Sequence, residues 1–175
     1  MSVNNNGQNA DKSILDQFNK QTYLGNAFAV PVLGVSLSNT NETGVFLLEN
    51  PSTSSKAAFV NLRRYSSSAE QVSVKAYFNP TVSTTGTAAT PVNLRPASTT
   101  TSSVNSYANG QFTTSANGTA ADGIGIPADY YVTVDNSLLF IIDPGTTLLF
   151  TVTALVSTTV FNGNFSWYEL GAPNP

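Results

Sequence analysis

From residue 27 onward apolar side chains recur at every second position, a period that predicts strands rather than helices. In VSVKAYF, Val72, Val74, Ala76 and Phe78 share one face while Ser73, Lys75 and Tyr77 take the other. Leu148, Phe150, Val152, Ala154 and Val156 likewise stand opposite Thr151 and Thr153. Phe161, Phe165 and Trp167 share a third face, with Asn162, Asn164 and Ser166 on its wet side. Antiparallel strands with one buried face alternate in this way. The pattern predicts strands over 27–37, 44–50, 56–64, 70–79, 90–95, 102–108, 130–134, 137–142, 146–156 and 158–169.

Turn sequences punctuate these runs, among them Asn50-Pro51-Ser52, Ser66-Ser67-Ser68, Asn79-Pro80, Asp135-Asn136 and Asp143-Pro144-Gly145. Proline cannot donate to a ladder, so Pro31 and Pro91 are expected on edge strands or at strand starts. Residues 109–129, NGQFTTSANGTAADGIGIPAD, carry four glycines and few periodic apolar positions, and read as one long loop. So many short strands call for two packed sheets. The expected fold is all-β, an antiparallel β-sandwich closed as a jelly roll.

Upstream the period changes. DKSILDQFN (11–19) places Ile14, Leu15 and Phe18 on one side of a short amphipathic helix, with Asp11 as its N-cap. Residues 1–12 are polar and rich in Asn, which suggests an arm. The expected division is an arm with a short helix over 1–26 and a sandwich over 27–175. The helix has two uses open to it, packing on its own domain or docking on a neighbouring subunit.

Composition supports the β reading. Only 10% of residues are charged, against about 25% in an average soluble protein. Ser, Thr and Asn fill the outer positions that Lys and Glu occupy on helices. The net charge is −3 and the seven basic residues are scattered, so no phosphate-neutralising stripe exists and nucleic acid is not an expected partner. No apolar run approaches the about 18 residues of a membrane-spanning helix. The opening MSVNNNGQNADKS lacks a positive start and an apolar middle, so no signal peptide is expected and synthesis in a host cytoplasm is.

Chemistry is sparse. With no His and no Cys, imidazole triads, thiol nucleophiles and Cys/His zinc sites are excluded. The ten carboxylates are Asp11, Asp16, Glu42, Glu49, Glu70, Asp122, Asp129, Asp135, Asp143 and Glu169. Most fall in turns or at strand ends, where capping and hydrogen bonding are the expected roles. No enzyme is expected, and neither is a cofactor or a metal. The best cation candidates are Asp122, Gly123 and Asp129, whose spacing matches no calcium loop. Tyr130-Tyr131 and Trp167-Tyr168 are adjacent aromatic pairs, so each is expected to put one ring in the core and leave the other free. Trp167, sharing a face with Phe161 and Phe165, is assigned to the core. Exposed rings beside polar groups would serve a carbohydrate site, which is the alternative function class.

Three stretches together carry a resemblance. ENPSTSSKAAFVNLRR (49–64), VSVKAYFNPTVSTTGTAATPVNLRPAS (72–98) and DPGTTLLFTVTA (143–154) followed by FSWYE (165–169) occur in this order. The chain over 44–170 resembles small single-domain β-sandwich structural proteins of tailed bacteriophages, of the capsid decoration or head-fibre type. Thr53-Ser54-Ser55 stands where that pattern carries a glycine-bearing turn. The resemblance implies a non-enzymatic virion component, a decoration or minor head protein that binds the major capsid protein or another virion protein. It implies no catalytic residue. The other expectations are an adhesin-like or carbohydrate-binding module of a tail or cell surface, and a bacterial surface-filament subunit. A homo-oligomer is expected, a trimer before other states, located in the virion. The candidate contact residues are Ile14, Leu15, Phe18 and Tyr23 near the N-terminus, and Thr84 and Thr85 in the Thr-rich connection after Asn79-Pro80.

Overall fold

A computed structural model of the chain describes residues 16–38, 42–82, 85–108, 114–115 and 118–171, with the backbone alone at 62, 114–115, 122 and 133–139. A helix, α1, covers 16–24. The strands are β1 (Ala27–Leu37), β2 (Thr43–Glu49), β3 (Lys56–Ser67), β4 (Val72–Phe78), β5 (Thr81–Val82), β6 (Thr87–Ala88) and β7 (Val92–Asn93). They continue as β8 (Asn105–Ala108), β9 (Thr114–Ser115), β10 (Thr119–Ile126), β11 (Tyr131–Ile142), β12 (Thr147–Ala154) and β13 (Thr159–Gly171).

Eight strands build the sandwich. One sheet runs β11-β3-β13-β1 and the other β10-β4-β12-β2, all neighbours antiparallel. This is the strand order of a jelly roll, and the fold follows from it directly. The connection from β4 to β10 then widens both sheets on one side. Its β7 pairs with β1 in the first sheet, and its β8 and β6 extend the second beyond β2. The β1–β2, β3–β4, β10–β11 and β12–β13 connections gather at one end of the sandwich. The other connections lie at the opposite end, where α1 leads into β1.

The faces alternate as the sequence indicates. Val72, Val74 and Ala76 are buried in the interior with Leu148, Phe150, Val152 and Ala154, and Phe78 packs beside them. Phe165 stacks on Phe46 with ring centroids 4.2 Å apart and lies 4.7 Å from Phe150. Trp167 closes the cluster against Phe28 and Phe46. Val156 does not join its expected face: β12 ends at Ala154, and Val156 is exposed in the connection beyond. Pro91 immediately precedes β7, and Pro31 lies past the short β7, where β1 has no neighbour on that side.

Two expectations need correction. Residues 109–129 are not one loop, because β10 occupies Thr119–Ile126 and pairs along β4. Ile124 and Ile126 alternate with Gly123 and Gly125 and pack against the core, so the ladder overrides the weak strand propensity of glycine. The 130–134 and 137–142 segments form a single β11, whose register against β3 breaks between Asp135 and Phe140.

The helix packs on its own domain. Phe18 is buried against Tyr168, which in turn stacks on Phe59 at 4.9 Å. Gly25, at φ 78, ends the helix in the left-handed region that glycine tolerates. A Cβ there would fall 2.4 Å from Ser98 Oγ, so the close approach to the β4–β10 connection also requires glycine. Arg95 Nη1 donates to Tyr23 O at 2.8 Å, and Asn93 Nδ2 donates to Gly25 O at 2.9 Å, which ties the helix end to that connection.

Candidate functional site

Among the described residues the most buried carboxylate is Glu169, 1% exposed. Its Oε1 accepts from Ser102 Oγ (2.6 Å), Ser103 N (3.1 Å) and Trp167 Nε1 (3.3 Å). Its Oε2 accepts from Ser103 Oγ (2.7 Å) and Ser103 N (3.0 Å), with Lys56 Nζ 3.9 Å away. Both oxygens are fully engaged by the protein, so this is a clamp that fastens the β4–β10 connection to β13. Glu42 is similarly engaged by Thr151 Oγ1, Tyr77 Oη and Lys75 Nζ. Among the described residues no three His, Cys, Asp or Glu side chains converge as a metal site. Asp122 sits within β10 opposite Ala76 and Asp129 in the turn after the strand, at φ 53.

Burial and neighbouring carboxylates together shift some phenols. Tyr77 is raised above its ordinary 10.0 by burial first and then by its hydrogen bond to Glu42 and that residue's charge. Tyr107 is raised by burial, then by the charge of Glu49 and a hydrogen bond to it. Tyr168 is raised by burial alone. A phenol held protonated by the fold ionises earlier in the unfolded chain, so above pH 10.0 the unfolded state binds fewer protons and stability falls as pH rises. The expected result is a stability contribution that is whole below pH 10.0 and lost above it. Thermal melts across that range, paired with phenolate absorbance, check it. A melting temperature indifferent to alkaline pH would contradict it.

Irregular strands build a groove on the surface. In β3, Val60 pairs with Trp167 while Leu62 pairs with Ser166, so Asn61 is an extra residue, a β-bulge. The bulge reverses which parity faces inward. Ala58 and Val60 are buried before it, Arg63 and Tyr65 after it, and Arg64 is thereby turned to the outer face. Arg63 lies over the Phe140 ring at 4.5 Å. A second bulge in β1 places Leu33 and Gly34 against the single residue Asn162. Gly34, at φ 70, donates its N–H to Asn162 Oδ1 at 2.9 Å.

Two rows of residues therefore cross the outer face of the first sheet. One runs Tyr131, Ser66, Asn162 and then the Leu33 bulge; the next runs Thr133, Arg64, Asn164 and Pro31. Between them lies an open depression of about 220 Å³. Leu33 and Tyr131 on its rim are 64% and 57% exposed. Its floor is thin: a Cβ on Gly163 would come within 3.0–3.1 Å of the Phe165 and Phe161 rings of the core. Among the described residues no carboxylate lines it.

The expected contact residues fare differently. Phe18 is withdrawn from any exposed patch by its packing on Tyr168, since a small apolar face that finds cover in its own domain has none left for a neighbour. Tyr23 is 75% exposed with Arg95 over its ring at 5.4 Å, and Thr85 is exposed. Ile14, Leu15 and Thr84 lie outside the described residues. The aromatic pairs do not split as expected. Trp167 and Tyr168 are both buried, because α1 covers the outer face at Tyr168. Tyr130 and Tyr131 are both exposed, because Tyr130 precedes the strand and Tyr131 opens it on the bare outer face. Exposed apolar side chains also gather at the two ends of the sandwich: Tyr130, Leu155 and Val156 at one, Tyr23, Leu24 and Val92 at the other.

No protein-family model matches the sequence, and no curated protein does. Among solved structures, the chain is similar at 9% identity and a TM-score of 0.29 to "Structure of infectious bursal disease virus Gx strain", covering 85% of this chain and 30% of that one. A second likeness, to "Crystal structure of infectious bursal disease virus VP2 subviral particle", has 11% identity and a TM-score of 0.13 over 84% of this chain and 40% of that one. This chain thus spans less than half the length of either. Scores this low add nothing to the strand order, which carries the fold alone. No helix among the described residues is long and apolar enough to cross a membrane.

Proposed function

We propose that this chain is a non-enzymatic structural protein of a virion, a capsid decoration or minor head component that works as a homo-oligomer on the capsid lattice. The observation that supports this reading is the placement of exposed apolar side chains at two opposite ends of a jelly roll. A lattice component needs separate surfaces for separate neighbours, and apolar groups left in water on a small domain are the usual material of such contacts. The end bearing Tyr130, Leu155 and Val156 would meet one neighbour, and the end bearing Tyr23, Leu24 and Val92 another. The scarcity of charge suits close approach of like copies, because it lowers their mutual repulsion. The sequence resemblance to phage decoration proteins points the same way.

Cryo-electron microscopy of particles made by the genome that encodes the chain tests the proposal. The expected result is jelly-roll density bound to the lattice, with occupancy reduced in Leu155→Asp/Val156→Asp. Absence of the protein from purified particles would overturn it.

A further inference from the structure

The depression on the outer face is rich in donors and holds no acceptor charge among the described residues. Arg64 is exposed and makes no hydrogen bond or ion pair among the described residues. Asn162 uses only its Oδ1, for Gly34, and Asn164 only its Oδ1, in a 3.5 Å contact from Ser166 Oγ. The Nδ2 groups of both amides are therefore unused among the described residues. Directly across the strands, Arg64 is the register partner of Asn164, and Ser66 of Asn162. Tyr131 and Leu33 flank this donor set with exposed apolar surface.

We propose that this groove binds a saccharide unit bearing a carboxylate, a uronic or sialic acid type of sugar. A guanidinium grips a carboxylate through two parallel N–H···O bonds, and the two amides supply further donors to ring hydroxyls. The Tyr131 ring offers an apolar face with a polar tip, the combination that suits a sugar's apolar side and its hydroxyl rim. An acidic peptide fits less well. The groove lies in the middle of a sheet whose β3 and β13 backbones are paired on both sides, so no added strand can bond there. Its apolar part, two side chains, is too small to seat a helix. Side-chain donors and one ring are what remains, and they select a small, polar, singly charged ligand. This site does not depend on the protein's having a place in a virion.

The test is titration of the soluble full-length chain with sialyllactose and with glucuronic acid, against lactose, glucose and an oligoglutamate peptide. The acidic sugars are expected to bind and the neutral sugars to bind at least tenfold more weakly. Losing one charge-assisted bond corresponds to about 10- to 100-fold in affinity, so Arg64→Gln should lower acidic-sugar binding by that factor and leave the neutral sugars unchanged. Because the Arg64 side chain makes no hydrogen bond or ion pair among the described residues, the variant's melting temperature should stay close to the parent's, which separates a lost contact from a lost structure. Tyr131→Ala should weaken both classes of sugar. Equal binding by parent and Arg64→Gln, no binding of acidic sugar by the folded parent, or preferential binding of oligoglutamate would each overturn the proposal.

Discussion

Glu169→Ala is expected to lower the unfolding free energy by about 3–5 kcal/mol, the range for removing one partner of a buried charge network. The carboxylate collects two serine hydroxyls, one backbone N–H and the Trp167 indole N–H, with Lys56 close by. Alanine leaves the Ser103 N–H and the Trp167 indole N–H without this acceptor, while Ser102 Oγ keeps Val104 O and Lys56 keeps water, and each buried donor left without a partner costs about 1–3 kcal/mol before relaxation. Water entering the vacated space recovers part of that, which is why the whole sum is not expected. Glu169→Gln keeps the volume but presents an N–H₂ where donors converge, so its loss should be intermediate. Because Ser102 and Ser103 belong to the β4–β10 connection, the damage should begin there. Denaturant melts measure the size, and amide exchange at 102–108 locates it. A change under about 1 kcal/mol would show that the network is not a stabilising clamp.

The second large effect is expected at Phe165. Its ring meets Phe46, Phe150 and Tyr65, which come from both sheets. Phe165→Ala should cost about 3–5 kcal/mol, from lost transfer energy and from the cavity left behind. The cavity cannot close readily, because Gly163, whose Cβ would fall 3.0 Å from this ring, has no side chain to move into the vacated space. Phe165→Leu should recover roughly half of the loss, since it restores most of the buried volume. For a chain of this size each kcal/mol corresponds to about 2–4 °C in melting temperature, so thermal melts resolve both variants.

Much of the fold was legible because alternation reports burial directly. β1 runs over 27–37 as its pattern indicates, and the inner faces of β4, β12 and β13 hold the residues assigned to them except Val156, which lies beyond the end of β12. Legibility failed where the period itself broke. In KAAFVNLRRYSS no alternation spans Asn61, and an unbroken reading cannot tell which arginine is inside. The ladder decides, by giving Asn61 no opposite partner. The groove was illegible for the same reason, since Arg64, Asn162, Asn164 and Tyr131 come from three strands whose registers are set by bulges and not by local propensity. A signal did exist, in two adjacent arginines after a polar residue inside an apolar run. Phe18 failed differently: helix amphipathicity shows that a face will be covered, never by what.

The two sheets are finished unequally at their sides. On one flank the β4–β10 connection lays short strands over β1 and β2, while β11 and β10 remain as the outermost strands of the other flank. Since β10 packs near β3 and β1 near β2, both bare strands belong to the same flank. In the language of polymer growth, the protein is close to a monofunctional unit. If two copies joined strand to strand along that flank, each would consume the other's readiest reactive side, and the product would be a capped pair. Chain extension into a fibre would need a second such side; on the opposite flank β6 and β7 are two residues long, and the part of β1 beyond β7 is blunted by Pro31, which has no N–H to donate, and by the bulge at Leu33 and Gly34. At high local concentration such a protein would carry its own chain terminator.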